Sequence, residues 1–186
     1  MTTVLIVPGL RDHVPQHWQT LLAQRLPRVH TVPPMGRQDL NCQDRVNAIE
    51  AAVAAIDGPL IIVAHSGGCI MVAHWAQQTN LHGQVRGALL ATPPDFERPM
   101  PDGYPTLAEL DASGWLPVPR LALPFPSLVV TSRNDPLGEL SRVQALARDW
   151  GSDTLDLGEV GHLNPASGYG EWPLAETLIR KFDRRN

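Results

Sequence analysis

Leu60-Ile61-Ile62-Val63-Ala64-His65-Ser66-Gly67-Gly68 is an apolar run of strand length that stops at a serine flanked by tiny residues. The pattern Ala64-x-Ser66-x-Gly68 is one methyl group away from Gly-x-Ser-x-Gly, the nucleophile elbow in which a buried strand bends sharply into a helix and exposes a serine hydroxyl. Side chains two residues before and after the serine would collide in such a turn, so both positions must be small. A helix opening at Gly67 would aim its N-terminus, and the Gly67 amide, at negative charge developing beside Ser66. A plain Ser/Gly loop between strand and helix would have the same composition and no chemistry. The rest of the chain has to decide.

Outward from this stretch the chain alternates strands and helices. Val4–Val7 is a short apolar strand ending at Pro8-Gly9, and Pro15 suits the first turn of a helix running to about Arg25, with Trp18, Leu21, Leu22 and Leu26 toward the core. Val29–Val32 is a second strand. Val46, Ile49, Val53 and Ile56 recur at helical spacing before the break at Asp57-Gly58-Pro59. After Ser66 comes a helix carrying Ile70, Val72, Ala73 and Trp75, then strands at Val85–Ala91 and Ser127–Thr131. A helix through Leu140, Val143, Leu146 and Trp150 follows, then a strand at Thr154–Leu157 and a closing helix over Trp172–Phe182. This rhythm predicts an α/β fold whose mainly parallel sheet carries helices on both faces. In such sheets the site lies at the carboxyl ends of the strands.

Two of those ends supply what a serine needs. Ser132-Arg133-Asn134-Asp135-Pro136 follows one strand and Gly158-Glu159-Val160-Gly161-His162-Leu163-Asn164 the next. A serine hydroxyl needs an imidazole to take its proton, and the imidazole needs a carboxylate on its other nitrogen. Ser66, Asp135 and His162 stand in the order Ser…Asp…His of α/β-hydrolases. Alone, Asp135-Pro136 is an ordinary turn or helix start and His162 an ordinary loop histidine. Jointly, at two successive strand ends, they form a candidate triad. Oxyanion donors are the Gly67 amide and, from the loop after the first strand, the Leu10 amide, which Gly9 can turn toward the site.

With these motifs the chain resembles the small bacterial and animal serine hydrolases related to the retinoblastoma-binding hydrolase, a compact branch of the α/β-hydrolase superfamily. The resemblance covers almost the whole chain. It rests on Val7-Pro8-Gly9 with His17-Trp18, Ala64-His65-Ser66-Gly67-Gly68-Cys69, Phe125-Pro126-Ser127-Leu128-Val129-Val130, Ser132-Arg133-Asn134-Asp135-Pro136, Gly161-His162-Leu163-Asn164, Ser167-Gly168 and Trp172-Pro173. It departs at Ala64, where the elbow usually has Gly. It implies Ser66 as nucleophile, Asp135 as acid and His162 as base, and leaves the substrate unassigned.

Composition narrows the remaining choices. The chain has 186 residues, of which 43% are hydrophobic, and this predicts one domain over residues 1–186 with a substantial core. A net charge of −4 without a basic stripe argues against nucleic acid, and no apolar run reaches the roughly 20 residues that span a membrane. Met1-Thr2-Thr3-Val4 has no positive lead for a signal peptide. Two cysteines, Cys42 and Cys69, make no disulfide framework, so a reduced, cytoplasmic setting is expected. His13 and His17 are separated by Pro15 and lack a metalloprotease Glu, and Pro8-Gly9-Leu10-Arg11-Asp12 is no phosphate loop, so neither metal nor cofactor is expected. Cys69, His65, His74 and the Trp residues at 18, 75, 150 and 172 read as packing residues.

Nine of the 18 prolines concentrate in a loop over residues 93–126, expected near the site, whose Phe96, Met100, Tyr104, Leu107, Trp115 and Leu116 could bind an acyl or alkyl group or merely pack over the sheet. Two functions follow. One is a serine hydrolase of small carboxylic esters, or amides, through an acyl-enzyme. The other is a hydrolase-like fold kept as a protein-binding module, its protein partner unknown, for which an intact triad would have no use.

Overall fold

The computed structural model describes residues 2–10, 14–36 and 38–184. Its centre is built from the apolar runs: β1 (Thr3–Val7), β3 (Leu60–His65), β4 (Val85–Ala91) and β5 (Ser127–Thr131), with the shorter β2 (Val29–Thr31) and β6 (Asp153–Asp156) at the edges. The strand order is β2-β1-β3-β4-β5-β6 and every pairing is parallel. The inner strands are apolar on both faces because helices cover both. The edge strand β6 presents Asp153 and Asp156 to solvent, charges that discourage a further strand from pairing there.

Alternation along the strands divides the core in two. Leu5, Val7, Leu60, Ile62, Ala64, Ala88, Leu90 and Val129 face α2 (Cys42–Ala54), α3 (Gly67–Gln78) and α5 (Leu140–Asp149). Val4, Ile6, Ile61, Val63, Leu89, Ala91 and Val130 face α1 (Trp18–Arg25) and α6 (Leu174–Asp183). Burying Leu178, Ile179 and Phe182 of α6 stabilises that side by roughly 1.5–3 kcal/mol each. Gly87 of β4 makes room for Phe182, whose ring atoms would lie 2.1 Å from a Cβ added there.

Several boundaries differ from the sequence reading for local reasons. The first helix begins at Trp18 rather than near Pro15, because the His17 side chain accepts the Gln19 N–H and caps it. The second begins at Cys42, capped by Asn41. Trp172 lies outside the closing helix, which Pro173 precedes, and sets its ring edge-on to Trp18 at 4.9 Å. Residues 93–126 are not loop throughout: Thr106 and Glu109 form a reciprocal capping box that starts α4 (Leu107–Ala112). Among the described residues no helix is long and apolar enough to cross a membrane.

The chain runs from β1 outward to β2, then crosses back to place β3 on the other side of β1. The carboxyl ends of β1 and β3 therefore border the crevice where open parallel sheets hold ligands. Val7 pairs in register with Ala64, so Pro8-Gly9 and His65-Ser66 leave the sheet at the same level.

Candidate active site

Ser66 caps α3 with φ 54° and ψ −130°, a left-handed conformation that a non-glycine residue adopts at a cost of about 1–3 kcal/mol. Sheet and helix impose it from either side: the Ser66 amide donates to the Ala91 carbonyl at 2.9 Å, and its carbonyl accepts from Cys69 at 2.9 Å. The demand for small residues is met at close quarters. A Cβ on Gly68 would lie 2.6 and 2.7 Å from the carbonyl oxygens of Val7 and Pro8, while Ala64 fits wholly buried in β3. Two other non-glycine residues with positive φ, Thr92 (46°) and Leu163 (48°), stand at the end of β4 and directly after His162. All three ring the same spot.

The structure brings Ser66, His162 and Asp135 together. Ser66 Oγ is 2.8 Å from His162 Nε2, and His162 Nδ1 lies 3.0 and 2.9 Å from the two Asp135 oxygens. A carboxylate can only accept, so Nδ1 carries the proton and Nε2 is left to accept from the serine hydroxyl. Asp135 is held further by the Leu137 amide at 2.9 Å, and the His162 and Asp135 side chains are 5% and 3% exposed. Neighbouring Asp156 is engaged elsewhere, by Arg133 at 2.7 Å and the Gly158 amide at 2.8 Å.

The two loops that carry Asp135 and His162 are sewn to each other. Asn134 Oδ1 accepts from the Ser132 hydroxyl and from the Gly161 amide at 2.7 Å, and Ser132 Oγ accepts from the Val160 amide. The His162 amide donates to Ser167 Oγ at 3.0 Å, and that hydroxyl donates to Asn164 Oδ1 at 2.8 Å. The short polar motifs around the two residues are thus the scaffold of the site.

Gly67 is the first residue of α3, so its N–H has no partner within the helix. The β1 loop closes over it. A Cβ on Gly9 would lie 3.2 Å from Ser66 Cβ, and one on Gly67 would lie 2.9 Å from Leu10 Cγ and 3.5 Å from the Phe96 ring. A side chain at Gly9 would crowd Ser66, and one at Gly67 would have to push the Leu10 side chain aside.

A cavity of about 390 Å³ opens beside Ser66 and His162. Leu10, Leu40, Phe96, Met100, Tyr104 and Leu137 make it mainly apolar, with His17, Gln19 and Asn164 on its polar side. Phe96, Met100 and Tyr104 come from the proline-rich segment. Trp115 does not reach the cavity: it is fully buried beneath Phe96, edge-on at 5.4 Å, and donates its indole N–H to the Leu40 carbonyl at 2.7 Å.

Sequence reasoning missed two residues. Gln19 is buried and its amide nitrogen donates to the carbonyls of Val7 and Val63, both at 3.1 Å, clamping the ends of β1 and β3. A polar residue beside Trp18 on a buried helix face was the available signal. His65, read as packing, contacts His162 directly: its Nε2 lies 2.9 Å from the His162 main-chain oxygen. Its ring sits between those of His17 (4.7 Å) and His162 (5.0 Å). His74 is structural, its Nε2 3.1 Å from the Trp115 carbonyl. Cys69 packs as a small hydrophobe with its thiol 3.4 Å from the Ala91 carbonyl, and Cys42 is buried at the start of α2. Among the described residues no group of three His, Cys, Asp or Glu could hold a metal ion; His13 lies outside them.

Known proteins share this arrangement of strands. The serine hydrolase family model matches residues 4–181. A solved YdeN-like protein of Pectobacterium atrosepticum is 27% identical, with 97% of this chain and 90% of that chain covered and a TM-score of 0.81. The ydeN gene product of B. subtilis is 16% identical over all of both chains, with a TM-score of 0.76. The esterase domain of a Rhodothermus marinus protein is 18% identical over 90% of this chain and 80% of that one, with a TM-score of 0.63. Among curated proteins there is no significant match. The parallel sheet and these likenesses give the chain a compact α/β-hydrolase fold.

Proposed function

This chain belongs to the serine hydrolase family, and from that premise we propose that it cleaves small carboxylic esters, and amides more slowly, through an acyl-enzyme formed on Ser66. The observation that carries the reading is the run of hydrogen bonds from Ser66 Oγ through His162 to Asp135, lining an apolar cavity of about 390 Å³. Ser66 Oγ attacks the carbonyl carbon as its proton passes to His162 Nε2. Asp135 stabilises the resulting imidazolium and keeps Nδ1 protonated. The amides of Gly67 and Leu10 receive the oxyanion. Collapse breaks the bond to the alcohol or amine, which leaves with the proton from His162. Water then attacks the acyl-enzyme, His162 takes its proton, and the acid departs with Ser66 restored.

The apolar wall suits uncharged acyl or alkyl groups, and the cavity lies at the small end of the range for organic ligands. Kinship to the retinoblastoma-binding hydrolase, a cytoplasmic setting, a single domain over residues 1–186 and independence from cofactors belong to the same proposal. A fluorophosphonate probe tests it: wild type should label covalently and hydrolyse nitrophenyl esters, and Ser66→Ala should do neither, at a rate loss of roughly 10⁶-fold. Labelling or turnover that persists in Ser66→Ala would remove the nucleophile.

A further inference from the structure

The residue next to the serine borders the cavity but is almost wholly buried. His65 is the last residue of β3 and its ring is clamped on three sides: by His17 at 4.7 Å, by His162 at 5.0 Å and, edge-on, by Trp18 at 5.9 Å. Trp18 is backed in turn by Trp172. With 5% of the residue exposed, the ring has no freedom to turn. Its Nε2 meets the main-chain oxygen of His162 at 2.9 Å. A carbonyl oxygen cannot donate, so the proton of this bond sits on His65 Nε2. The second contact to that oxygen, from Thr92 Oγ, is longer, at 3.4 Å. Leu163, the next residue, is held at a φ of 48°, a conformation that a leucine rarely adopts without support from its surroundings.

These contacts close a ring of bonds. Ser66 is covalently joined to His65, His65 holds the backbone of His162, and His162 Nε2 returns to Ser66 Oγ at 2.8 Å. We propose that His65 is a positioning residue for His162: its Nε2–H fixes the main chain of the general base against the strand that carries the nucleophile, and so sets the distance between the two reacting side chains. This rests on the reading of Ser66 and His162 given above. The bond is suited to that task because the donor is uncharged. Burial first, then the neighbouring His162 and His17 rings, keep His65 well below the usual imidazole range. It therefore anchors the base without placing a second positive charge beside the imidazolium formed in the reaction.

The test compares two replacements of similar length and volume. His65→Gln keeps an N–H donor at about the reach of Nε2, and His65→Met does not. The readouts are kcat and KM for a nitrophenyl ester and the downfield NMR signal of the His162 Nδ1 proton. His65→Met should lower kcat between about 10- and 100-fold with KM little changed, the penalty of a base displaced by a fraction of an ångström, and should shift or broaden the NMR signal. His65→Gln should recover most of both. If His65→Met does not fold, His65→Phe, which keeps a ring in the row, takes its place. Equal loss in the donor and non-donor variants, or no loss in either, would overturn the positioning role. The NMR signal reports on the geometry whatever the turnover. A failure of the hydrolase reading, seen as Ser66→Ala turning over like wild type, is therefore told apart from a failure of this one.

Discussion

One wall of the cavity consists of strand ends and the short loops that leave them; the other is the proline-rich segment, held in place from outside. On the first wall Ser66, Asp135 and His162 sit within a few residues of β3, β5 and β6, and their loops hydrogen-bond to each other through Asn134, Ser132 and Ser167. On the second, position comes from distant partners. Arg142 of α5 bonds Asp95 and Glu97, Arg120 bonds Glu97 and Asp149 at 2.6 Å each, and the Trp150 indole donates to the Pro119 carbonyl at 2.8 Å. The candidate reacting groups are thus carried by strand ends and by loops bonded to one another, where misplacement would be most damaging. The proline-rich wall rests on the buried Trp115 beneath Phe96 and is tied on its outer side by ion pairs.

The sharpest way to break this contrast is to alter the strand-end wall. His162→Ala should lower kcat by roughly 10⁶-fold, and Asp135→Asn by roughly 10⁴-fold with KM nearly unchanged, since the loss falls on tautomer control and the imidazolium. Steady-state kinetics check both. A nearly silent Asp135→Asn would move the role of acid to another carboxylate.

A smaller effect belongs to the interior behind that wall. His65 and His74 are both held below the ordinary imidazole range, by burial before any other cause. The unfolded chain therefore takes up more protons than the folded one once the pH falls under about 6.5. Stability should be complete above that pH and decline as the pH falls through the depressed folded values. His65→Gln should flatten the decline by up to one proton, about 1.4 kcal/mol per pH unit, with His17 and His162 as the titratable groups that face it. Thermal unfolding from pH 7 to 5 measures it. An unchanged slope would mean that His65 is protonated in place.

The smallest effect is expected on the other wall. Arg142→Ala should cost under about 1 kcal/mol of stability at low salt and less at high salt, with kcat close to wild type. Thermal denaturation at two ionic strengths and one kinetic assay suffice. A collapse of kcat would erase the difference between the walls.

The same contrast explains what the sequence made legible. The sheet could be read because each inner strand is a local apolar run closed by a turn signal, and the grouping of Ser66, Asp135 and His162 because each follows a strand end within a few positions. Ala64, Ser66 and Gly68 announce a close approach through residue size, which sequence records directly. The errors came where position depends on distant partners. Trp115 looks like a ligand-binding aromatic until the Leu40 carbonyl takes its indole N–H. His65 looks like filler until a loop nearly a hundred residues away sets a carbonyl against it. The start of α1 moved because the His17 side chain, rather than Pro15, closes its first turn.

Cys69 lies three residues beyond Ser66, yet the two nucleophile types are kept chemically apart. Burial pushes the Cys69 thiol well above its usual range, and Cys42 is pushed up to about 12. Neither offers thiolate to an electrophile or an oxidant at neutral pH. A reagent that enters the cavity therefore meets the Ser66 hydroxyl and the Met100 thioether but no thiolate. Covalent capture by electrophiles should read out Ser66 alone, and peroxide at levels that inactivate thiol enzymes should leave the turnover intact.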